Sequence, residues 1–193
     1  MLTPPRFRAS IVLAVRSEAT MTLRCLMSLA RLPEDGSFEA IVVDNASTDE
    51  TSAILGSVDG DFRAIRNDVD RGYGAACDQA AAVAAGEHLI FLRGDAVPVD
   101  GWLDLLIRAL DCDPAAGAAL PRAVDATGRN LEHEWAAVAV RRDAYAAVGG
   151  FAGTARPGRS EKATLLSGLD DAGRPVVAVP DAVVLALPDG VTR

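Results

Sequence analysis

Along the chain, unbroken apolar runs alternate with stretches in which apolar residues recur every three or four positions. Residues 10–15 form the first run, and Leu23, Leu26, Met27 and Ala30 then stand at i, i+3, i+4 and i+7, the spacing of one helical face. Strand followed by helix is the expectation. Residues 40–43 are a second strand of buried type, and Ser47-x-x-Glu50 has the form of a capping box opening a helix that runs to about Leu55. Residues 62–65 predict a third strand, 75–85 an alanine-rich helix closed by Gly86, and 88–92 a fourth strand. These strands show no polar alternation, the mark of parallel strands covered by helices on both faces.

Past residue 98 the pattern loosens. Asp100 is placed as N-cap of a helix carrying Trp102, Leu106, Ala109 and Leu110. Residues 115–124 and 134–140 predict strands around a turn at 125–129, 141–148 and 161–172 helices, and 175–179 and 183–187 two closing strands. The fold class expected is α/β, a three-layer α/β/α sandwich whose central sheet is mostly parallel and partly mixed. A regular half over residues 1–98 and a less regular half over 99–193 share one domain.

Composition agrees with a single packed unit: 193 residues, half of them hydrophobic and 24% charged, bury a core without any run long enough to span a bilayer. Residues 1–10 lack a leader-like apolar core, which predicts a soluble cytoplasmic protein with no transmembrane segment. Nineteen basic residues against 27 acidic ones, a net of -8, argue against nucleic acid as a partner. Cys25, Cys77 and Cys112 are widely spaced, and His88 and His133 are the available imidazoles, so packed reduced thiols are expected and no zinc site.

In parallel α/β sheets ligands sit beyond the carboxyl ends of the strands, and the residues there carry the chemistry. Asp44 ends the second strand and can accept from a ribose hydroxyl or a base N–H, while Asp49 and Glu50 suit the helix start that follows. Arg71-Gly72-Tyr73-Gly74 follows the third strand and opens a helix, where glycine lets backbone approach an anion. Arg93-Gly94-Asp95 follows the fourth, and a carboxylate at such a place can hold a divalent cation against phosphates.

The order of these segments resembles a family 2 glycosyltransferase of GT-A fold. The run at 10–15, Val42 to Thr51, Gly72 to Asp78, Gly86 to Leu92, and Asp95 followed by Gly101-Trp102-Leu103 resemble its nucleotide-sugar half. Arg141 to Tyr145, Val148-Gly149-Gly150-Phe151, Glu161, and Gly173 to Ala182 resemble its acceptor side. The resemblance implies transfer of a sugar from a nucleoside-diphosphate donor to an acceptor hydroxyl with inversion. It implies a nucleoside contact from Asp44 and Mg²⁺ or Mn²⁺ held near Asp95; the candidate donor-contacting residues are Ala14, Arg16, Asp44, Arg71, Gly72, Arg93 and Asp95, and the candidate catalytic residues are Asp95 and Glu161.

The chain departs from the family pattern where the chemistry concentrates. Arg93 stands where an acidic or amide residue usually precedes the metal-holding aspartate, and Glu161-Lys162 replaces Glu-Asp, whose aspartate is the general base. A lysine is protonated at neutral pH and cannot accept a proton. Ala14-Val15-Arg16-Ser17 replaces a Pro-x-Tyr/Phe-Asn pattern, Asp78 stands for an Asn, and no His follows the last strand at 185–187. Either the arginines at 16, 71 and 93 replace the cation at the donor phosphates, or Arg93 fills the metal position by pairing with a carboxylate and the domain is a catalytically silent binding or assembly module. The compact second half suits either a small acceptor or a protein partner or second copy that completes the site. Residues 153–159 read as a lid, and Trp135 and Tyr145 as core or interface residues.

Overall fold

The computed structural model describes residues 6–32, 37–131, 136–155 and 160–187. Its elements in order are β1 (Phe7–Val15), α1 (Ala19–Leu29), β2 (Phe38–Asn45), α2 (Thr51–Leu55), β3 (Phe62–Asn67), α3 (Tyr73–Val83), β4 (Gly86–Leu92), β5 (Ala96–Pro98), α4 (Trp102–Cys112), β6 (Ala118–Val124), β7 (Ala137–Arg141), α5 (Arg142–Ala147), α6 (Gly150–Thr154), α7 (Glu161–Asp171) and β8 (Val176–Ala186). The strands form one sheet in the order β3-β2-β1-β4-β7-β6-β8-β5. From β3 to β4 all pairs are parallel, as the apolar runs predict; β7 then enters antiparallel to β4, and β6 and β8 run parallel to each other.

Alternate residues of the central strands feed two cores. Ile11 and Leu13 of β1 with Ile90 and Leu92 of β4 pack under α1 and α4, against Trp102 and Leu106. Val12, Ile41, Val43, Leu89 and Phe91 face the other way, against Cys77 and Ala80 of α3, Tyr145, Phe151 and Leu165. Burial on both faces is what an apolar strand without alternation needs. Edge strand β3 is the exception, with Arg63, Ala64 and Arg66 exposed.

Several local expectations change on folding. The buried stripe of α1 is Thr22, Cys25, Leu26 and Leu29, one position away from the apolar spacing, so Leu23 and Met27 are 43% and 63% exposed. Small side chains on that stripe let α1 lie close to β5, and the Cys25 thiol points at the Arg93 carbonyl, 3.8 Å away. Ser47 and Glu50 form no capping box, because the Ser47 hydroxyl accepts from the Ser17 N–H of the neighbouring loop. Asp100 caps nothing either: Gly101, at φ +80°, turns the chain into α4. The two closing strands are one, β8, whose register shifts opposite Pro121 and Arg122 to take in residues 180–182. The short β5 and α6 have no counterpart in the periodicity, and Cys112 is exposed where a packed thiol is expected. Trp135 and residues 156–159 lie outside the described residues, whereas Tyr145 is core.

Gly86 does not close α3. It opens β4, where its Cα lies against the backbone of β1, and its N–H donates to Ser10 Oγ at 2.8 Å. Ser10 in turn donates to buried Glu39 at 2.7 Å, which also accepts the Ala85 N–H. A Cβ at position 86 would lie 2.4 Å from both Ala9 C and Ser10 N, so backbone must move to admit one. Gly86→Ala is therefore expected to cost roughly 1–3 kcal/mol, the range for overpacking, read as a fall of several degrees in Tm by circular dichroism.

Candidate functional site

The carboxyl ends of β1, β2, β3 and β4 bring their loops together on one edge of the sheet. Two non-glycine residues in those loops, Ser17 and Ala46, sit at φ +52° and +67°. Such conformations cost on the order of 1 kcal/mol or more and persist where surroundings over-determine them. Here the loops determine each other: Ser17 N–H donates to Ser47 Oγ at 2.9 Å, and Thr48 N–H to Ser17 Oγ at 3.0 Å. Asp49 completes the knot by accepting from Ala19 N–H at 3.0 Å, which caps α1, and from Thr51 N–H at 3.1 Å, which caps α2.

Buried Asn45 organises the third loop. Its Oδ1 accepts from Asn67 Nδ2 and from Arg71 N–H, both at 3.1 Å, while its Nδ2 donates to Asp70 Oδ1. Asp70 also accepts the Gly72 N–H at 2.8 Å and pairs with Arg16 at 3.0 Å, tying the end of β1 to the glycine turn. Between them opens a cleft of about 250 Å³ lined by Ala14, Val15, Arg16, Glu18, Asn45, Asp70, Gly72 and Tyr73. Ala14, Arg16 and Gly72 were singled out from the sequence; Asn45, Asp70 and Tyr73 were not, although Asn45 directly follows Asp44 in the strand-end motif. A larger cavity of about 390 Å³ beneath Leu26, Phe38 and Phe62 contains none of the strand-end residues quoted above.

Asp44 lies beside this cleft with its carboxylate engaged. Oδ1 accepts the Ser47 N–H at 2.8 Å, and Oδ2 accepts from Ser52 Oγ and the Arg66 guanidinium. Burial pushes its carboxyl up, but the bonds from Ser47 and Ser52 and the charge of Arg66 outweigh that and hold it below the usual range. Arg66 is the direct partner of Asp44 in the parallel register of β2 and β3, a pairing that alignment of the two strands could have shown.

Arg93 folds back on Asp95. Its Nε donates to Oδ1 at 2.9 Å and its second terminal nitrogen to Oδ2, so one planar guanidinium takes both oxygens of a buried carboxylate. A divalent cation would need those oxygens free and further oxygen ligands around it. With a guanidinium in place, these residues do not fit Mg²⁺ or Mn²⁺. Among the described residues one group of three potential ligands occurs, Glu87, His88 and Asp111, near the amino end of β4, where Arg8 already pairs with Asp111 and Glu87.

Glu161, first residue of α7, reaches across to the glycine turn, its Oε1 accepting the Gly74 N–H at 3.0 Å. Gly74 must be glycine for this approach, since a Cβ would lie 2.8 Å from that oxygen and 3.0 Å from Phe151 Cβ. Asp78, one turn on, accepts the Phe151 and Ala152 N–H groups at 3.0 Å each and the Tyr145 hydroxyl. Helices α6 and α7 are thus fastened to α3 by two carboxylates. Arg71 lies exposed beside the turn.

Comparison with known proteins bears on these features. The family model described as glycosyl transferase family 2 matches residues 10–155. No curated protein matches the chain closely enough in sequence to count as a relative. Among solved structures, the mannosyltransferase PcManGT of Pyrobaculum calidifontis, in complex with GDP-Man and Mn²⁺, superposes with a TM-score of 0.78 at 22% identity over 98% of this chain and 59% of its own. The 1–349 segment of S. aureus TarS gives 0.74 at 16% identity over 94% and 60%. This chain spans about three fifths of the length of either.

The Asp44 cluster makes a prediction about pH. A carboxylate held below its unfolded value adds stability above about pH 4, and that stability disappears as pH falls through the folded value. Arg66→Met is expected to lower Tm at pH 7, with the gap to the parent protein narrowing toward pH 3 as Asp44 takes up its proton. A gap that stays constant across that range would dissociate Arg66 from the Asp44 charge.

Proposed function

The chain belongs to glycosyl transferase family 2, and we propose that its strand-end cleft takes a nucleoside-diphosphate sugar without a divalent cation and passes the sugar to an acceptor oxygen with inversion. The observation that carries this reading is the Arg93–Asp95 pair. It puts a guanidinium, charge-balanced by Asp95, at the strand end where the family resemblance would have Asp95 hold a metal. A guanidinium forks onto phosphate as it does onto carboxylate. Arg16, on the wall of the cleft and paired with Asp70, and exposed Arg71, beside the glycine turn, bring two further guanidinium groups to it.

In this reading Asp95 is a positioning residue that orients Arg93, and Glu161 sets the glycine turn against which the diphosphate lies. Inversion follows from direct displacement by the acceptor on the face opposite the leaving diphosphate. A cytoplasmic location belongs to the same proposal, since Cys25, Cys77 and Cys112 are free thiols, the state a reducing compartment keeps. A second reading, a catalytically silent donor-binding module, is favoured by one observation. The Glu161 carboxylate is hydrogen-bonded to backbone and Lys162 stands beside it, and losing a general base typically removes 10²–10⁴ in rate.

A thermal-shift titration of UDP, GDP, dTDP and their sugars, each with Mn²⁺ and with EDTA, tests the donor site. A ligand at a hundred times its Kd adds about 2.7 kcal/mol, several degrees for this size. The expected result is one nucleotide giving the same shift in both buffers, reduced in Arg93→Ala. A shift that needs Mn²⁺ overturns the cation-free site, and no shift with any nucleotide overturns donor binding. Release of nucleoside diphosphate from the binding sugar nucleotide separates the transferase from the silent module.

A further inference from the structure

We infer that Asp78 is a positioning residue of the donor site: by holding α6 through both carboxylate oxygens it fixes Tyr73 and the glycine turn, the wall of the cleft that the donor meets. The inference rests on the donor-binding reading above and names a residue that acts on that site through others. Asp78 lies half-buried on α3, one turn past Gly74. Its Oδ1 accepts the Phe151 N–H at 3.0 Å and the Tyr145 hydroxyl, and its Oδ2 accepts the Ala152 N–H at 3.0 Å. Burial, and then the bond to Asp78, pushes the Tyr145 phenol well up, so it keeps its proton and is the donor.

Aromatic rings carry this hold to the cleft. Phe151 packs edge-on against Tyr73, which lines the cleft, with ring centroids 5.8 Å apart, and against Phe91 of β4 at 5.1 Å. Phe91 in turn lies 5.0 Å from the Tyr145 ring. Edge-to-face pairs prefer a defined geometry, so a shift of Phe151 is passed to the ring on the cleft wall. The contacts leave no slack. A Cβ on Gly150, at φ +66°, would lie 2.4 Å from Asp78 Oδ1, and one on Gly74 would lie 3.0 Å from Phe151 Cβ. Packing this close transmits a displacement instead of absorbing it. Glu161 of α7 holds the Gly74 N–H separately, so two carboxylates grip one turn from opposite sides of the α3–α6 contact.

The hold needs an acid. Three donors from α5 and α6 converge on Asp78 and engage both of its oxygens. An asparagine, the residue of the family pattern at this position, has one acceptor oxygen, and its amide nitrogen is a donor. Set in the same orientation, that nitrogen faces the Ala152 N–H; turned over, it faces the Phe151 N–H and the Tyr145 hydroxyl. Either way a backbone N–H of α6 meets another donor, and the helix is pushed from its seat. The acid at position 78 is thus a departure from the family pattern that the surrounding donors of this chain match.

The test compares Asp78→Asn with the parent protein and with Asp143→Asn, which removes an exposed carboxylate of α5 paired with Arg174. Backbone amide exchange is read by NMR without nucleotide. In Asp78→Asn the Phe151, Ala152 and Gly74 amides are expected to exchange about tenfold faster or more, while Ile90 of β4 stays within about threefold. Asp143→Asn should move none of them. By titration calorimetry, the Kd of UDP, GDP or dTDP, whichever binds the parent, should rise about fivefold or more in Asp78→Asn. Faster exchange at Phe151 and Ala152 with Gly74 and the nucleotide Kd unchanged overturns the inference and leaves Asp78 a helix cap; unchanged exchange at all three amides overturns it as well. Where Ile90 loosens as much as Gly74, Tyr145→Phe takes the place of the asparagine, since it removes one donor and keeps both backbone bonds. The same pattern at smaller size is then expected, and an unchanged Gly74 overturns the inference. A parent that binds no nucleotide ends the donor reading, whereas Gly74 exchange still decides whether Asp78 holds the turn.

Discussion

Two-sided burial of the central strands is the constraint on which the rest of the molecule depends. Ile11 and Leu13 on one face and Val12 on the other leave β1 no place for a polar side chain along its middle, and the same holds for Ile41 to Val43 and Leu89 to Leu92. Polar chemistry is confined to the strand ends. At the amino ends it serves packing, as in the Ser10, Glu39 and Gly86 chain. At the carboxyl ends four loops meet, and their side chains must satisfy one another before they can meet a ligand.

Guanidinium groups now do that satisfying. Asp44 accepts from Arg66, Asp95 from Arg93 and Asp70 from Arg16, three carboxylates each matched to an arginine within the chain. A carboxylate placed to hold a cation keeps its oxygens free, and a fork of N–H donors removes that freedom while preserving the local charge balance. The fold is that of the family, and in this chain the strand-end carboxylates are answered by arginines. Asp78 and Glu161 show the same economy, since each carboxylate caps backbone N–H groups that helices α3 and α6 would otherwise leave unpaired.

Element order was legible because burial leaves a strong mark in sequence. The strands at 10–15, 40–43 and 88–92 are continuous apolar runs, and β1, β2 and β4 follow them. Errors fell where local pattern and tertiary contact disagree. Leu23 and Met27 advertise a face of α1 that the fold leaves exposed, because Thr22 and Cys25 are small enough to approach β5. Ser47 and Glu50 have capping-box spacing, but a hydroxyl accepts equally well from a donor thirty residues away, and Ser17 N–H reaches it first.

By itself the sequence determined the class of fold, the strand-end location of Asp44, Gly72 and Asp95, and the presence of Arg93 and Lys162 where the family pattern has other residues. These follow from periodicity and order along the chain, which are local properties. Only the tertiary structure decided the partners: that Arg93 turns onto Asp95, that Arg66 answers Asp44, that Glu161 reaches Gly74 and that Asp78 accepts the Phe151 N–H. Those pairings join residues whose distance in space has no counterpart in their spacing along the chain. They depend on strand register and helix placement, which arise when both faces of the sheet are covered at once.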